Sequence, residues 1–299
     1  MLMKQYEFVN KIGKGTHGTT YLLKNNLTKN FLVCKSIPTK FKKHATREIN
    51  VLKNTEHRRI VKMTDILYVE KGIYILMEYA NYGTIESMLK YFAKNKIKAS
   101  YNLIWSIAAR VLDGLKHLHG KGIIHRDIKP ANILISKTET SGKEHLEFKI
   151  CDFSLSEQKD AIQDKCIVGT PYYMAPEIVA KEKYGNTVDI WALGVILYEL
   201  VFGKKPFTGS DRENLYNNIL YQEIEKELSI PEEPALELLI KECLKKTNRK
   251  CTKELLKIEK IKFTLTAIEL KYREIQIEQL EEKIIQMESE KAKLAPTYK

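Results

Sequence analysis

Residues 125–132 read His125-Arg126-Asp127-Ile128-Lys129-Pro130-Ala131-Asn132, and residues 151–154 read Cys151-Asp152-Phe153-Ser154. The pattern around them, from Ile123 to Lys149, is one of short strands and loops. Taken singly, each stretch has an ordinary reading. Asp and Asn cap turns, and loop lysines are solvated. Their company decides the fold. Upstream, Ile12-Gly13-Lys14-Gly15-Thr16-His17-Gly18 spaces three glycines between two strand-like runs. Such glycines let the backbone approach phosphate oxygens and present N–H donors. A dinucleotide fold would need a helix directly after Gly18, and Thr19 to Lys24 reads as strand instead. Next, Val33-Cys34-Lys35 sets a lysine inside an apolar strand. A buried ammonium needs a carboxylate, and Glu48 on the following helical segment is the candidate. A lysine so held can aim at the α- and β-phosphates of a nucleotide. Downstream, Ala175-Pro176-Glu177 completes the series.

The order and spacing of these five elements are those of the protein kinase signature set. From about Tyr6 to Leu256 the chain resembles a eukaryotic protein kinase. The resemblance implies an α+β fold in two lobes, a kinase domain over 1–256. A small β-rich N-lobe with one main helix would occupy 1–79, and a larger helical C-lobe 80–256. It implies ATP as phosphate donor with Mg2+, or Mn2+ in its place. Asp127 would orient the acceptor hydroxyl and take its proton, and Lys129 would approach the γ-phosphate. Asn132 and Asp152 would hold the metal through hard oxygen atoms. Lys35 and Glu48 would complete the catalytic group. Gly13, Lys14, Gly15, Gly18 and Thr20 would cover the nucleotide, with Lys35 at its phosphates. Its adenine would lie between Ile12, Val33 and Leu134. Met77 would be the gatekeeper, and Glu78, Tyr79 and Ala80 the hinge that offers backbone hydrogen bonds. The same framework stacks Leu52, Met63, His125 and Phe153, and pairs Arg249 with Glu177. Lys129, two residues after Asp127, is the pattern of kinases acting on Ser or Thr. Gly169-Thr170-Pro171-Tyr172-Tyr173 resembles their substrate-docking loop, with Thr170 hydrogen-bonding near Asp127 and Lys129.

Four departures from the family pattern stand out. Ser154 replaces the usual glycine after Asp152-Phe153 and should restrict the flip of Phe153. Thr20 replaces a valine above the adenine and adds a hydroxyl. Cys166 lies where many relatives carry an activating phosphothreonine, whose phosphate Arg126 would bind. Asp160, Asp164 or a phosphorylated Ser156 are the substitutes for that charge, and redox control through Cys166 is the alternative. Finally, the stretch from Lys35 to Glu48 is short, so the connection into the helix must be tight.

The last segment, 257–299, has no glycine and a single proline, Pro296. Apolar residues recur at Ile258, Ile261, Leu265, Ile268, Tyr272 and Ile275, and a second seam follows at Ile277, Leu280, Ile284, Met287 and Leu294. About five heptads with charged flanks predict a coiled coil and hence a homodimer, against a single helix lying back on the domain. A kinase domain followed by such a tail is similar to the NIMA-related family.

Composition bounds the alternatives. Hydrophobic residues at 43% and charged residues at 29% describe a globular chain, not a disordered one. The longest apolar run, Ile190 to Phe202, is broken by Glu199 and reads as core helix, not membrane span. Charges within Met1 to Lys11 stand where a signal peptide needs an apolar stretch, so secretion is not expected. Five cysteines without a C-x-x-C pair suggest neither a disulfide framework nor a zinc site. An intracellular chain is expected, cytoplasmic, nuclear or both. The net charge of +12 is scattered along the chain, so no nucleic-acid partner is expected. The partner class is a protein with a Ser or Thr acceptor. The competing function is a pseudokinase scaffold that binds partners, with or without ATP, and transfers nothing.

Overall fold

The computed structural model describes residues 5–140, 142–158, 167–224 and 228–294. Cys166, Asp160 and Asp164, all singled out above, lie outside the described residues.

The N-terminal part is a five-stranded antiparallel sheet in the order β1-β2-β3-β5-β4. Its strands are β1 (Tyr6–Lys14), β2 (Thr19–Asn25), β3 (Phe31–Pro38), β4 (Met63–Val69) and β5 (Gly72–Glu78). Their β-branched and aromatic residues favour a pleated surface, and β5 contributes the most to the core, with Ile73, Ile75, Leu76 and Met77 buried. A single short 3-10 helix, Thr39–Phe41, leads from β3 into α1 (Lys42–Asn54), so the connection is as tight as the short spacing requires. Helix α1 turns Ala45, Glu48, Ile49, Val51 and Leu52 inward. A 3.6-residue period puts the one carboxylate, Glu48, on the same face as the apolar residues.

Past the sheet the period changes to helical. Helix α2 (Ile85–Asn95) begins with a capping box between Thr84 and Ser87, and α3 (Tyr101–Gly120) is capped by Ser100. The polar stretch Ser136 to Glu147 forms a hairpin. Its strands β7 (Ile133–Thr140) and β8 (Lys143–Ile150) pair without a break in register. Between α3 and this hairpin lies the two-residue β6 (Ile123–Ile124), which pairs with β9 (Glu157–Gln158). Then follow α4 (Pro176–Val179), α5 (Thr187–Phe202), α6 (Arg212–Tyr221), α7 (Pro234–Cys243) and α8 (Thr252–Leu255). Helix α5 is buried almost all round and forms the middle of the helical part. Among the described residues no helix is long and apolar enough to cross a membrane.

The tail is one 36-residue helix, α9 (Glu259–Leu294). Its two seams have different fates. The first packs on the chain's own α3, with Ile261 and Ile268 buried and Leu265 partly buried against the core. Glu269 pairs with Arg58, whose guanidinium also lies 5.2 Å from the Tyr272 ring. The reading of 257–299 as a coiled coil set apart from the domain is thereby corrected for its first part. Ile261 and Ile268 are core residues of the domain itself. The second seam is uncovered: Ile277, Leu280, Ile284 and Met287 are all more than half exposed.

Candidate active site

Across the sheet the registered neighbours Gly13, Thr20, Lys35 and Ile75 lie side by side on β1, β2, β3 and β5. The glycine-rich turn therefore closes over the strand that carries Lys35. Gly15 N–H donates to Gly18 O at 2.9 Å to make the turn. A Cβ at Gly18 would lie 2.4 Å from Ser36 O, so only glycine fits this close approach. A second row, Leu22, Val33, Met77 and Met63, runs beside the first. Val33 and Met77 are thus cross-strand partners, Val33 packed at the edge of the core and Met77 buried within it. Ile12 is exposed on β1, and Leu134 lies on β7. β7 is tied to the segment after β5, since Tyr82 N–H donates to Ile135 O and Ile135 N–H to Gly83 O. Glu78 N–H is already engaged by Lys62 O at 3.0 Å, and its carboxylate meets Lys62 N–H and Lys149 Nζ. Of the three residues expected at a hinge, Glu78 has its backbone N–H engaged and keeps its carbonyl for a ligand, while Tyr79 and Ala80 lie beyond the strand end.

Lys35 Nζ lies 2.7 Å from Glu48 Oε2 and 2.8 Å from Asp152 Oδ1. Burial alone would lower the ammonium's pKa, but the Glu48 and Asp152 carboxylates outweigh it and raise it. Burial alone would likewise raise Asp152, yet Lys35 holds it well below the usual carboxylate range. The lysine stays charged and Asp152 stays ionised. Glu48 itself is pushed up by burial, with Lys35 opposing. We take the ion pair as charged, because two hydrogen bonds from one ammonium satisfy both Glu48 oxygens.

The second group stands on the loop between β6 and β7. Asp127 accepts Lys129 Nζ on Oδ2 at 2.7 Å and the Thr170 hydroxyl on Oδ1 at 2.8 Å. Lys129 Nζ also donates to Thr170 Oγ1 at 2.9 Å, closing a triangle. Asn132 Nδ2 donates to the Asp127 carbonyl at 2.8 Å and to its Oδ2 at 3.1 Å. Gly169 takes φ 107°, and a Cβ there would meet Arg126 O at 2.7 Å, which keeps Thr170 within reach of the loop. His125 ties this loop to the next one. Its Nδ1 accepts Asp127 N–H at 3.2 Å, so Nε2 carries the hydrogen donated to Cys151 O at 3.0 Å. Its ring also stands edge-on to Phe153 at 5.1 Å, with Leu52 and Met63 in the same core. Arg249 Nη1 donates to Glu177 Oε1 at 2.7 Å.

Three features escaped the sequence reading. Asp189, buried in the first turn of α5, accepts the backbone N–H of His125 and of Arg126, both at 2.9 Å, and His119 Nε2 at 2.8 Å. It holds the strained turn in which Arg126 takes φ 66°. The available signal was a charge heading the most apolar helix, since such a charge demands partners. His17, at the tip of the glycine-rich turn, stacks on His44 of α1 at 3.9 Å, and His44 Nδ1 lies 3.1 Å from Ser154 O. Glu157 reaches both Arg47 and Arg126. Ser156, offered above as a phosphorylation site, is corrected on two counts. It is 2% exposed, and its hydroxyl faces His125 O.

A metal held here would be held by oxygen. Both Lys35 and Ser154 N–H take Oδ1 of Asp152, which leaves Oδ2 for a cation. Asn132 spends its amide nitrogen on Asp127, which leaves its oxygen. Carboxylate and amide oxygens suit Mg2+ or Mn2+. Among the described residues no three His, Cys, Asp or Glu side chains form a metal cluster, so phosphate oxygens would have to complete the shell.

The chain is similar to known proteins. Serine/threonine-protein kinase ste20 of Aspergillus fumigatus is 34% identical over 219 residues, 71% of this chain and 25% of that protein. Serine/threonine-protein kinase pakA of Talaromyces marneffei is 34% identical over 219 residues, covering 71% and 32%. Human serine/threonine-protein kinase H1 is 32% identical over 224 residues, covering 72% and 50%. The chain thus spans about a quarter to a half of the length of these curated relatives. Residues 6–262 match the family described as "Protein kinase domain", and with Lys35, Asp127, Asn132 and Asp152 set as above, the chain belongs to the eukaryotic protein kinase superfamily.

Proposed function

We propose that this chain is a serine/threonine protein kinase that transfers the γ-phosphate of ATP to hydroxyl groups of protein substrates. One observation carries the reading. An ionised Asp152 held by the Lys35–Glu48 pair and an Asp127–Lys129–Thr170 triangle stand on loops joined through His125. Lys35 binds the α- and β-phosphates, with Glu48 keeping its ammonium aimed. Gly13, Lys14, Gly15, Gly18 and Thr20 cover the nucleotide. Ile12, Val33 and Leu134 flank the adenine, Met77 closes its back, and Glu78, Tyr79 and Ala80 bond its edge. Asp152 and Asn132 hold Mg2+, or Mn2+, which when bound offsets charge on the phosphates. Asp127 orients the substrate hydroxyl and receives its proton, and Lys129 stabilises charge on the moving phosphoryl group. Thr170, fixed between the two, marks a Ser/Thr acceptor, in keeping with the relatives' names. The scaffold alternative has no observation in its favour. Ser154, which suggested it, sits outside the left-handed region while Asp152 takes φ 64°, and Asp152 still faces Lys35.

Transfer of labelled γ-phosphate from Mg-ATP to a generic Ser/Thr protein substrate tests the proposal. The wild type should transfer, and Asp127→Asn should lose at least about 10²-fold in kcat. A wild type that binds Mg-ATP and transfers nothing to any Ser/Thr substrate or to itself would sink it.

The kinase domain ends later than residue 256, because the start of α9 is packed into it. The exposed seam Ile277, Leu280, Ile284 and Met287 keeps heptad spacing, and we assign it to pairing with a second copy. Pairing would raise the local concentration of one protomer as substrate for the other. Mass in solution should halve when the chain is ended at Ile275; an unchanged mass refutes the pairing. The described cysteines are all free thiols, which fits a reducing compartment, cytoplasmic or nuclear.

A further inference from the structure

Glu157 opens the short strand β9, and its register opposite Ile124 fixes where its side chain starts. Its Oε2 lies 2.7 Å from Arg47 Nη2 and 3.5 Å from Arg126 Nη2. Arg47 precedes Glu48 on α1, and Arg126 precedes Asp127 on the catalytic loop. One carboxylate therefore joins the helix that places the partner of Lys35 to the loop that places the base. Arg126 is otherwise held by Leu155 O at 2.7 Å and the Tyr184 hydroxyl at 3.2 Å, both neutral. Without Glu157, two guanidinium groups would face each other across the lobes with no counter-charge from this strand.

The sequence adds a second, independent observation. Between Ser156 and Thr170 there is no serine, threonine or tyrosine. Ser156 is buried and Thr170 is bonded to Asp127, so neither hydroxyl is free to carry a phosphate. A phosphoryl group on this segment cannot supply the missing negative charge, and Glu157 already supplies it.

Resting on the kinase reading above, we propose that Glu157 is a positioning residue that clamps α1 to the catalytic loop through Arg47 and Arg126. It makes the active arrangement independent of phosphorylation between β9 and Thr170. The clamp acts on Glu48 and Asp127 through their neighbours and does not touch substrate.

The test uses the full chain after phosphatase treatment, checked by mass spectrometry, beside Glu157→Gln, Glu157→Asp and Arg47→Gln. Kinetics and amide exchange over residues 42–54 are both read. The treated wild type should keep its activity. Glu157→Gln and Arg47→Gln should each lose roughly 10²-fold in kcat, the scale of a misplaced catalytic group, with KM for ATP changed far less. Glu157→Asp should recover part of the loss, and exchange in α1 should rise in the Gln variants at an unchanged melting temperature. Loss of wild-type activity on phosphatase treatment, or full activity with unchanged α1 exchange in both Gln variants, would overturn the proposal. A wild type inactive from the outset would fail the kinase reading, not this one. The clamp would then stand or fall on α1 exchange alone, rising in Glu157→Gln or not. Should Glu157→Gln fail to fold, Arg47→Gln removes the same bridge from the other end.

Discussion

Ser154 is held at 3% exposure between Phe153 and the carbonyl contact with His44, and its conformation needs no glycine. Turning Phe153 outward demands backbone angles that a side chain restricts. Ser154→Gly should therefore strengthen binding of an inhibitor that requires the outward Phe153 by about three- to fivefold, the worth of the backbone freedom regained. Equal affinity in a direct titration would show that the serine imposes no such limit. His17 offers a pH test. Burial, chiefly, and His44 beside it lower its pKa from the ordinary value, with Lys35 adding to this and Asp152 and Asp127 opposing. The stacked, neutral form is thus fully favoured above about pH 6.5, and the stabilisation is lost as pH falls through the depressed value. Protection of the amides in the glycine-rich turn, measured relative to the intrinsic exchange rate at each pH, should fall on acidification, and His17→Phe should abolish that fall; a turn with the same acid response in the variant would refute it. At this scale the sequence was informative wherever a residue type has few uses. A lysine inside an apolar strand announced Glu48. Asp189, Arg47 and Glu157 were not legible, because carboxylates and arginines near helix starts and strand ends are usually solvated, and only the fold reveals their partners.

Elements were legible to the extent that their period is local. The strands from Tyr6 to Glu78 follow from runs of β-branched and aromatic residues between turns, and helix α1 from 3.6-residue spacing. The tail shows where such reading stops. Apolar residues spaced by three and four define one stripe on a helix, and the stripe is the same whether a second chain or the domain itself covers it. Here α3 covers the first seam and nothing described covers the second. Ending the chain after Lys257 would remove Ile261 and Ile268 from the core. Burial of two such side chains is worth on the order of 4 kcal/mol, so denaturant unfolding should show a loss of that size. Ending it at Ile275 should cost less than about 1 kcal/mol, because the residues removed are surface ones. Equal stability of the two shortened chains would contradict the packing of α9 on α3.

Over the whole molecule, the groups proposed for catalysis come from a sheet, a helix and two loops that are far apart in sequence. Lys35 and Asp152 are 117 positions apart yet share a hydrogen bond. The spacing of motifs made this convergence legible only through its resemblance to a known arrangement; spacing alone carries no distance. Arg58 belongs to the segment that leaves α1 for β4, and it meets Glu269 and Tyr272 in the first half of α9. Nineteen further residues run on from Gln276 to Leu294, a rod of about 28 Å at the usual helical rise. That exposed part is anchored to the domain by the packing of Ile261 and Ile268 against the core at α3 and by the Arg58 contacts together. The tail thus fastens the segment that follows α1 to α3, so whatever binds its exposed part binds an element anchored on both.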